Sequence, residues 1–416
     1  MTLSRQDERT TSASVVTLEP ASRSTTTETQ ELRTVAPVRP SGLGRVLWLY
    51  IASRALVLGA AGFATLQLRD PGAGPWPQLP APWVPILRAL GRWDSAWYMH
   101  LANRGYGHTP ALPGRDAGYA FFPMYPWVLR VVSVVTFTPS MITALLLSLV
   151  LGGVATVLCW VIVRDSIGAA AAHRAVAFFC FFPGAFVLSM AYAEALMIAA
   201  VAASLLALMR RRWVMAGVFA AVATATRPNA VVIIAAAMWC AIAAWRRGEG
   251  RRPFLAPAIS AVGWVLVVVY QWLQTGHVFE WLRVERDVWH DHFGFSTEAF
   301  HRFGQFLISG PIGLHEGQLN DLVWAAGLLL GLIGACVLIR SALPAVLKVY
   351  GIGAFAFACF SFNVGPRPRL LLAAFPIVLA LGIAVRGKLF RVMLVASAIG
   401  LAALSVVTFT TIAAVP

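Results

Sequence analysis

Four short blocks of this sequence concentrate residues able to do chemistry. The first is Arg92-Trp93-Asp94-Ser95-Ala96-Trp97-Tyr98, followed by Gly105-Tyr106 and Ala120-Phe121-Phe122-Pro123. The others are Tyr192-Ala193-Glu194, Thr226-Arg227-Pro228-Asn229 and Gly365-Pro366-Arg367-Pro368-Arg369. They supply two carboxylates, Asp94 and Glu194, and, besides Arg92, three cations, Arg227, Arg367 and Arg369. A hydroxyl is a poor nucleophile near neutral pH, and a positioned carboxylate acting as general base contributes about 10²–10⁴-fold. A departing phosphate needs fixed positive charge, which a guanidinium fork supplies in bidentate form.

Each of these residues also has a purely structural reading. Asp94 caps a helix starting at Ser95, or pairs with Arg92. Glu194 is a substrate ligand, or pairs with Arg227 and ties two hairpins together, since buried charges are usually paired. Arg227 and Arg369 bind phosphate, or sit at helix ends against lipid headgroups. Trp93, Trp97, Tyr98, Tyr106 and Tyr119 stack on a sugar, or belong to an interfacial aromatic belt. Asp116 is a second acid, or a solvated loop residue.

The elements that must position these blocks are apolar helices. The 416 residues are 59% hydrophobic and only 12% charged, against about a quarter charged in a soluble domain. Such a chain cannot coat a water-facing globule, which leaves an all-α polytopic membrane protein. Eleven apolar runs follow Arg45, at about 45–68, 141–163, 172–190, 192–209, 213–226, 230–245, 254–273, 319–340, 343–362, 369–386 and 391–412. Several are shorter than the roughly 20 residues a crossing needs. The short ones form the pairs 172–209 and 213–245, interrupted by Pro183 and Pro228, which predicts broken or shallow hairpins. Arg54, inside the first run, is expected to snorkel to the interface.

Residues 1–40 differ in kind. Fourteen are Ser or Thr, five arginines offset five acids, and no apolar signal-peptide core is present. They read as a disordered cytoplasmic tail before a membrane-embedded unit, 41–416. With the tail inside, the inner turns carry fourteen Lys or Arg against two acids, Asp165 and Glu249, whereas 274–318 carries three arginines against six acids. This positive-inside pattern places the four blocks on the extracytoplasmic face. It also accounts for most of the net charge of +15 without a nucleic-acid partner. The first outer loop spans about 69–140, with Pro- and Trp-rich 75–85 and a stretch at 83–102 suited to interfacial helices. The second spans about 274–318.

The run RWDSAWY, then GY, AFFP, FFPGAFVLSMAYAE, ATRPN and RPRLLLAAFP, resembles the PIG-V family of mannosyltransferases, in its bacterial form. The likeness covers about 88–230, with a further piece at 363–376. It implies a membrane glycosyltransferase of the GT-C fold class with about eleven transmembrane helices. It further implies a polyprenyl-phosphate-mannose donor, a lipid or glycan acceptor, an extracytoplasmic active site in the cytoplasmic membrane, and an inverting reaction. By this resemblance Asp94, the acid of the first outer loop, is the general base. Arg92, Trp93, Trp97, Tyr98, Tyr192, Glu194, Arg227, Asn229, Arg367 and Arg369 are candidates for binding donor or acceptor.

GT-C relatives often carry paired acids where only Asp94 follows Trp93 here, so a divalent metal has no clear motif behind it. The run Trp289-His290-Asp291-His292 suggests a metal, but no helical i, i+4 His pair with a third ligand accompanies it. Cys159, Cys180, Cys240, Cys336 and Cys359 all lie in apolar runs without ligand spacing. The rival functions are a lipid or glycan transporter or flippase, which would carry midplane polar residues and inverted repeats, and a non-catalytic membrane scaffold, which would tolerate loss of Asp94.

Overall fold

The computed structural model describes residues 40–67, 85–291, 316–361 and 365–411, with a few positions between 301 and 308. The tail, the Pro/Trp-rich 75–84 stretch, His292 and His315 lie outside the described residues. The described chain is almost wholly helical. In order it contains α1 Pro40–Gln67, α2 Pro85–Leu90, α3 Asp94–Arg104, α4 Met124–Thr136, α5 Ser140–Ser166, α6 Ala169–Cys180, α7 Glu194–Met209, α8 Trp213–Thr224 and α9 Val232–Arg246. There follow α10 Leu255–Thr275, α11 Glu280–Asp287, α12 Glu316–Arg340, α13 Ala345–Phe360, α14 Pro368–Ala373, α15 Phe375–Ala384 and α16 Gly387–Thr410. A small antiparallel ribbon, β1 Pro110–Leu112 with β2 Arg115–Asp116, sits in the first loop.

Over its described residues, each of the eleven apolar runs coincides with helix. Among the described residues, six helices are long and apolar enough to cross a membrane, and a bent pair adds a seventh candidate. The shorter apolar helices α4, α7, α8, α13 and α15 have 10 to 16 residues. The long helices face outward with large apolar side chains, such as Trp48 and Ile51 on α1, Leu266 and Leu273 on α10, and Val392 and Ile399 on α16. The short helices are the most deeply packed. Nearly all of α7 and α15 is buried. An apolar exterior around an apolar interior is stable only in lipid, and the chain is a multi-pass membrane protein.

Both anticipated breaks are present. α6 ends at Cys180, and a 3₁₀ turn, Pro183–Ser189, leaves it at 76°. Between α8 and α9 the helix stops at Thr224 and resumes through a second 3₁₀ turn, Pro228–Val231. Proline withholds a backbone donor at each break.

The first break frees carbonyls in the interior, and Arg54 satisfies them. Arg54 is 3% exposed, so the expected snorkelling does not occur. Its guanidinium donates to the carbonyls of Cys180 and Ala185, and to Ser53 Oγ and Ser189 Oγ. Orphaned acceptors within reach bind the charge better than a distant interface, since an unpaired buried acceptor costs about 1–3 kcal/mol.

Candidate functional site

The two breaks, together with the N-termini of α3, α7 and α14, converge on one region. Asp94 opens α3 and Glu194 opens α7. Each carboxylate thus lies at the positive end of a helix. Asp94 follows Trp93, whose backbone has φ 60° and ψ −132°. That conformation is costly for a non-glycine residue, about 1–3 kcal/mol. It is held from outside, because the Trp93 indole donates to the Thr408 carbonyl at 3.0 Å. The strained turn determines where Asp94 points.

Arg369 donates from Nη1 to Asp94 Oδ2 at 2.7 Å, and its Nε lies 3.9 Å from Glu194 Oε1. Arg227 donates to the same Glu194 oxygen at 2.7 Å and to the Tyr98 hydroxyl at 3.4 Å. The Tyr192 hydroxyl accepts the backbone N–H of Asp94 at 3.3 Å, while its ring lies beneath the Arg369 guanidinium. Two acids and two arginines therefore alternate in a lattice. Glu194 is 1% exposed and Arg369 7%, whereas Asp94 retains 22%. Asp94 is the carboxylate of this lattice most open to a ligand.

The loop bearing Arg367 and Arg369 seats by close backbone approach. Gly184, in the first 3₁₀ turn, abuts the Pro368 carbonyl and the Arg369 nitrogen, where a Cβ would collide. Gly365 has φ 58° and approaches the Trp324 indole so closely that a Cβ would collide with it.

A cavity of about 660 Å³ opens onto this lattice. Trp93, Asp94, Tyr98, Arg227, Asn229, Arg367 and Arg369 line it, together with Phe121, Phe122 and Thr226. The structure thus gathers seven sequence-predicted residues around one space. Glu194 and Tyr192 stand behind, buried against Arg227, Arg369 and Asp94. Asn229 Oδ1 and Glu194 Oε2 are buried without a hydrogen-bond partner. Trp97 is buried, stacked on Phe121 with centroids 5.6 Å apart.

Two predicted residues lie elsewhere. Arg92 does not pair with Asp94, but donates to the carbonyls of Phe409 and Thr411 at the end of α16. Asp116 caps the 3₁₀ turn Ala117–Ala120, accepting from the N–H groups of Thr109 and Gly118 and from Thr109 Oγ1. Among the described residues no cluster of three His, Cys, Asp or Glu is arranged for a metal ion.

Of the remaining lining, the sequence pointed only to Trp289 and Asp291, within the Trp289-His290-Asp291-His292 run. Trp281, Glu285, Arg286, Trp289 and Asp291 line the cavity from α11 and the turn after it, with Asn320 and Ser361. The available signal was the apolar stripe Trp281, Val284, Val288 at helical spacing. Gln271, on α10, fixes this wall: it accepts the Trp281 N–H at 3.0 Å and donates to the Tyr119 carbonyl at 2.9 Å. Burial and the neighbouring Asp291 charge push the Glu285 carboxyl up to about 8, the Trp281 N–H···Oε1 bond of 3.3 Å opposing them only in part.

Residues 77–245 match the family model described as mannosyltransferase (PIG-V). That segment contains three of the four site blocks; the Arg367–Arg369 block lies beyond it. The resemblance read from the motifs is thereby confirmed over this segment. No curated protein matches the chain. Among solved structures, the Archaeoglobus fulgidus oligosaccharyltransferase in its apo form aligns at 12% identity and TM-score 0.46, covering 87% of this chain and 56% of that one. An archaeal oligosaccharyltransferase from Archaeoglobus fulgidus in complex with an inhibitory peptide and a dolichol-phosphate aligns at 13% identity and TM-score 0.45, covering 88% of this chain and 56% of that one. The chain thus spans little more than half the length of these structures.

Proposed function

Because residues 77–245 match the mannosyltransferase (PIG-V) family model, we propose that this chain is an integral-membrane GT-C mannosyltransferase. It moves mannose from polyprenyl-phosphate-mannose to a lipid or glycan hydroxyl on the extracytoplasmic side of the cytoplasmic membrane. The observation that carries this reading is the lining of one cavity by Asp94 together with Arg227, Arg367 and Arg369. A reachable carboxylate beside guanidinium groups is what transfer from a phosphate to a hydroxyl requires.

In this mechanism the donor phosphate docks on the arginines and the acceptor hydroxyl meets Asp94. Asp94 takes the hydroxyl proton as the acceptor oxygen bonds to the anomeric carbon. The bond from that carbon to the phosphate oxygen breaks, its electron pair leaves with polyprenyl phosphate, and the configuration inverts. Arg369 changes partner along the way. Unliganded, it neutralises Asp94; a docked phosphate competes for the same fork and releases the carboxylate for proton transfer. Glu194 and Tyr192 hold Arg369 and the Asp94 backbone in register.

The orientation rests on the charge of the short turns, such as Arg210, Arg211 and Arg212 beside Asp165 and Glu249. The side bearing the site then faces away from cytosolic nucleotide sugars, which is why the donor is lipid-linked.

The test is transfer of radiolabelled mannose in membranes containing the chain, with endogenous lipid-linked mannose synthesis blocked. Transfer from added polyprenyl-phosphate-mannose but not from nucleotide-linked mannose is expected. Transfer from the nucleotide sugar alone would overturn the donor and the sidedness.

A further inference from the structure

Trp93 occupies a glycine position. Its backbone, at φ 60° and ψ −132°, matches the second residue of a II′ turn, and the Ser95 N–H donates to the Arg92 carbonyl across that turn at 3.3 Å. Glycine is favoured at such a place because a Cβ is strained there. What offsets the strain comes from α16, 315 residues away. The last carbonyls of a helix have no partner within it, and inside a membrane no water is at hand to supply one. At the end of α16, three carbonyls are taken by the two residues that precede Asp94. The Trp93 indole donates to Thr408, and the Arg92 guanidinium donates to Phe409 and Thr411. The Arg92 cation also sits at the negative end of the α16 dipole. The same helix seats the other half of the site. Ser397 Oγ donates to the Phe181 carbonyl at 3.0 Å, and a Cβ on Gly400 would lie 3.2 Å from Pro183. These residues lead into the 3₁₀ turn whose Gly184 abuts the Arg369 loop. One helix therefore underlies both members of the Asp94–Arg369 pair.

We propose that Arg92 and Trp93 are positioning residues for Asp94: they anchor the strained turn on the end of α16 and so set where the carboxylate stands relative to Arg369 and to the acceptor hydroxyl. The inference rests on Asp94 being the base of the proposed transfer, and adds what holds that base in place. Arg92 does not line the cavity, so its effect reaches the chemistry only through the turn. Asp94 follows the turn directly as the first residue of α3, with its own N–H on the Tyr192 hydroxyl. A turn released from α16 relaxes toward negative φ, and the side chain after it swings. A displacement of about 1 Å at a reacting group is enough to cost about 10²-fold in rate. Donor binding is affected far less, because the phosphate is held by arginines on other segments.

The experiment measures kcat and donor KM of mannose transfer from polyprenyl-phosphate-mannose for Arg92→Met and Trp93→Gly, each made in the parent and in Asp94→Asn, in membranes at equal protein abundance. Arg92→Met should lower kcat roughly ten- to a hundredfold while donor KM stays within about twofold. Trp93→Gly suits the backbone but lacks the indole. The anchor predicts a kcat loss of the same order, whereas a turn that needed only its φ would keep the parental kcat. Trp93→Gly carries the test alone if Arg92→Met does not accumulate. In the Asp94→Asn background either change should lower the residual transfer by no more than about twofold, since no base is left to position. Parental kcat in either variant, or the same fractional loss with and without the Asp94 carboxylate, overturns the positioning role while parental transfer leaves the function standing. A parent that transfers no mannose overturns the function and the positioning role with it.

Discussion

Asp94 and Arg369 are 275 residues apart in sequence and 2.7 Å apart in space. Their ion pair joins the first outer-loop block to the last, and closes the lattice that Glu194 and Arg227 begin. One guanidinium thereby serves two carboxylates, the more exposed one at hydrogen-bond distance and the buried one at 3.9 Å.

Arg369→Lys should be far from conservative. A lysine ammonium is a point charge and cannot fork between Asp94 and Glu194. Losing one charge-assisted bond costs about 1.5–3 kcal/mol, so transfer should fall roughly ten- to a hundredfold. Steady-state kinetics in membranes with matched protein abundance check this. Activity within twofold of the parent would show that the fork is dispensable.

The Glu194–Arg227 pair should behave as a unit. Glu194 is 1% exposed, so Glu194→Ala leaves Arg227 and Arg369 short of a counter-charge inside the protein. Breaking a buried pair from one side typically costs about 3–5 kcal/mol. Removing both partners should cost less than the sum of the two single changes. Thermal unfolding in detergent of both single variants and the double variant measures the coupling, and additivity would contradict it.

Gly184→Ala should disable the site from outside the cavity. A methyl group there meets the Pro368 carbonyl and the Arg369 nitrogen, so the loop carrying Arg369 must shift. Overpacking of this kind costs about 1–3 kcal/mol. Gly62→Ala, on α1, where nothing lies within 4 Å, is the control and should be tolerated. The comparison is of transfer rate and melting temperature for the two variants, and equal behaviour would remove the steric account.

Arg54→Met should loosen the bent segment. The variant leaves the carbonyls of Cys180 and Ala185 unpaired in the interior. At about 1–3 kcal/mol for each, the melting temperature should drop clearly. Hydrogen exchange should rise first in residues 181–190, and uniform exchange across the helices would argue against a local clamp.

Much of this arrangement was legible in the residues themselves. Apolar runs bounded by arginines marked the helices, because a chain so poor in charge must bury its length in lipid. Pro183 and Pro228 marked the breaks, because proline removes a donor wherever it interrupts a run. The partner of Asp94 was not legible: Arg92, two residues away, was the local candidate, and only tertiary packing brings Arg369 in. Arg54 read as a snorkelling residue because its acceptors, Cys180 and Ala185, become free only once the later helix bends. Trp281 and Glu285 were obscured by their setting, an acid-rich stretch in which a short amphipathic helix resembles a solvated loop.

The proposed transfer depends on the Asp94 carboxylate. The decisive measurement is transfer of radiolabelled mannose from polyprenyl-phosphate-mannose in membranes containing the parent chain or Asp94→Asn at equal abundance. Asparagine keeps the shape and a hydrogen bond to Arg369 but cannot take the acceptor proton, so transfer should fall by about 10²–10⁴-fold while donor KM changes little. Equal transfer by the two proteins would remove Asp94 from the chemistry and contradict the mechanism.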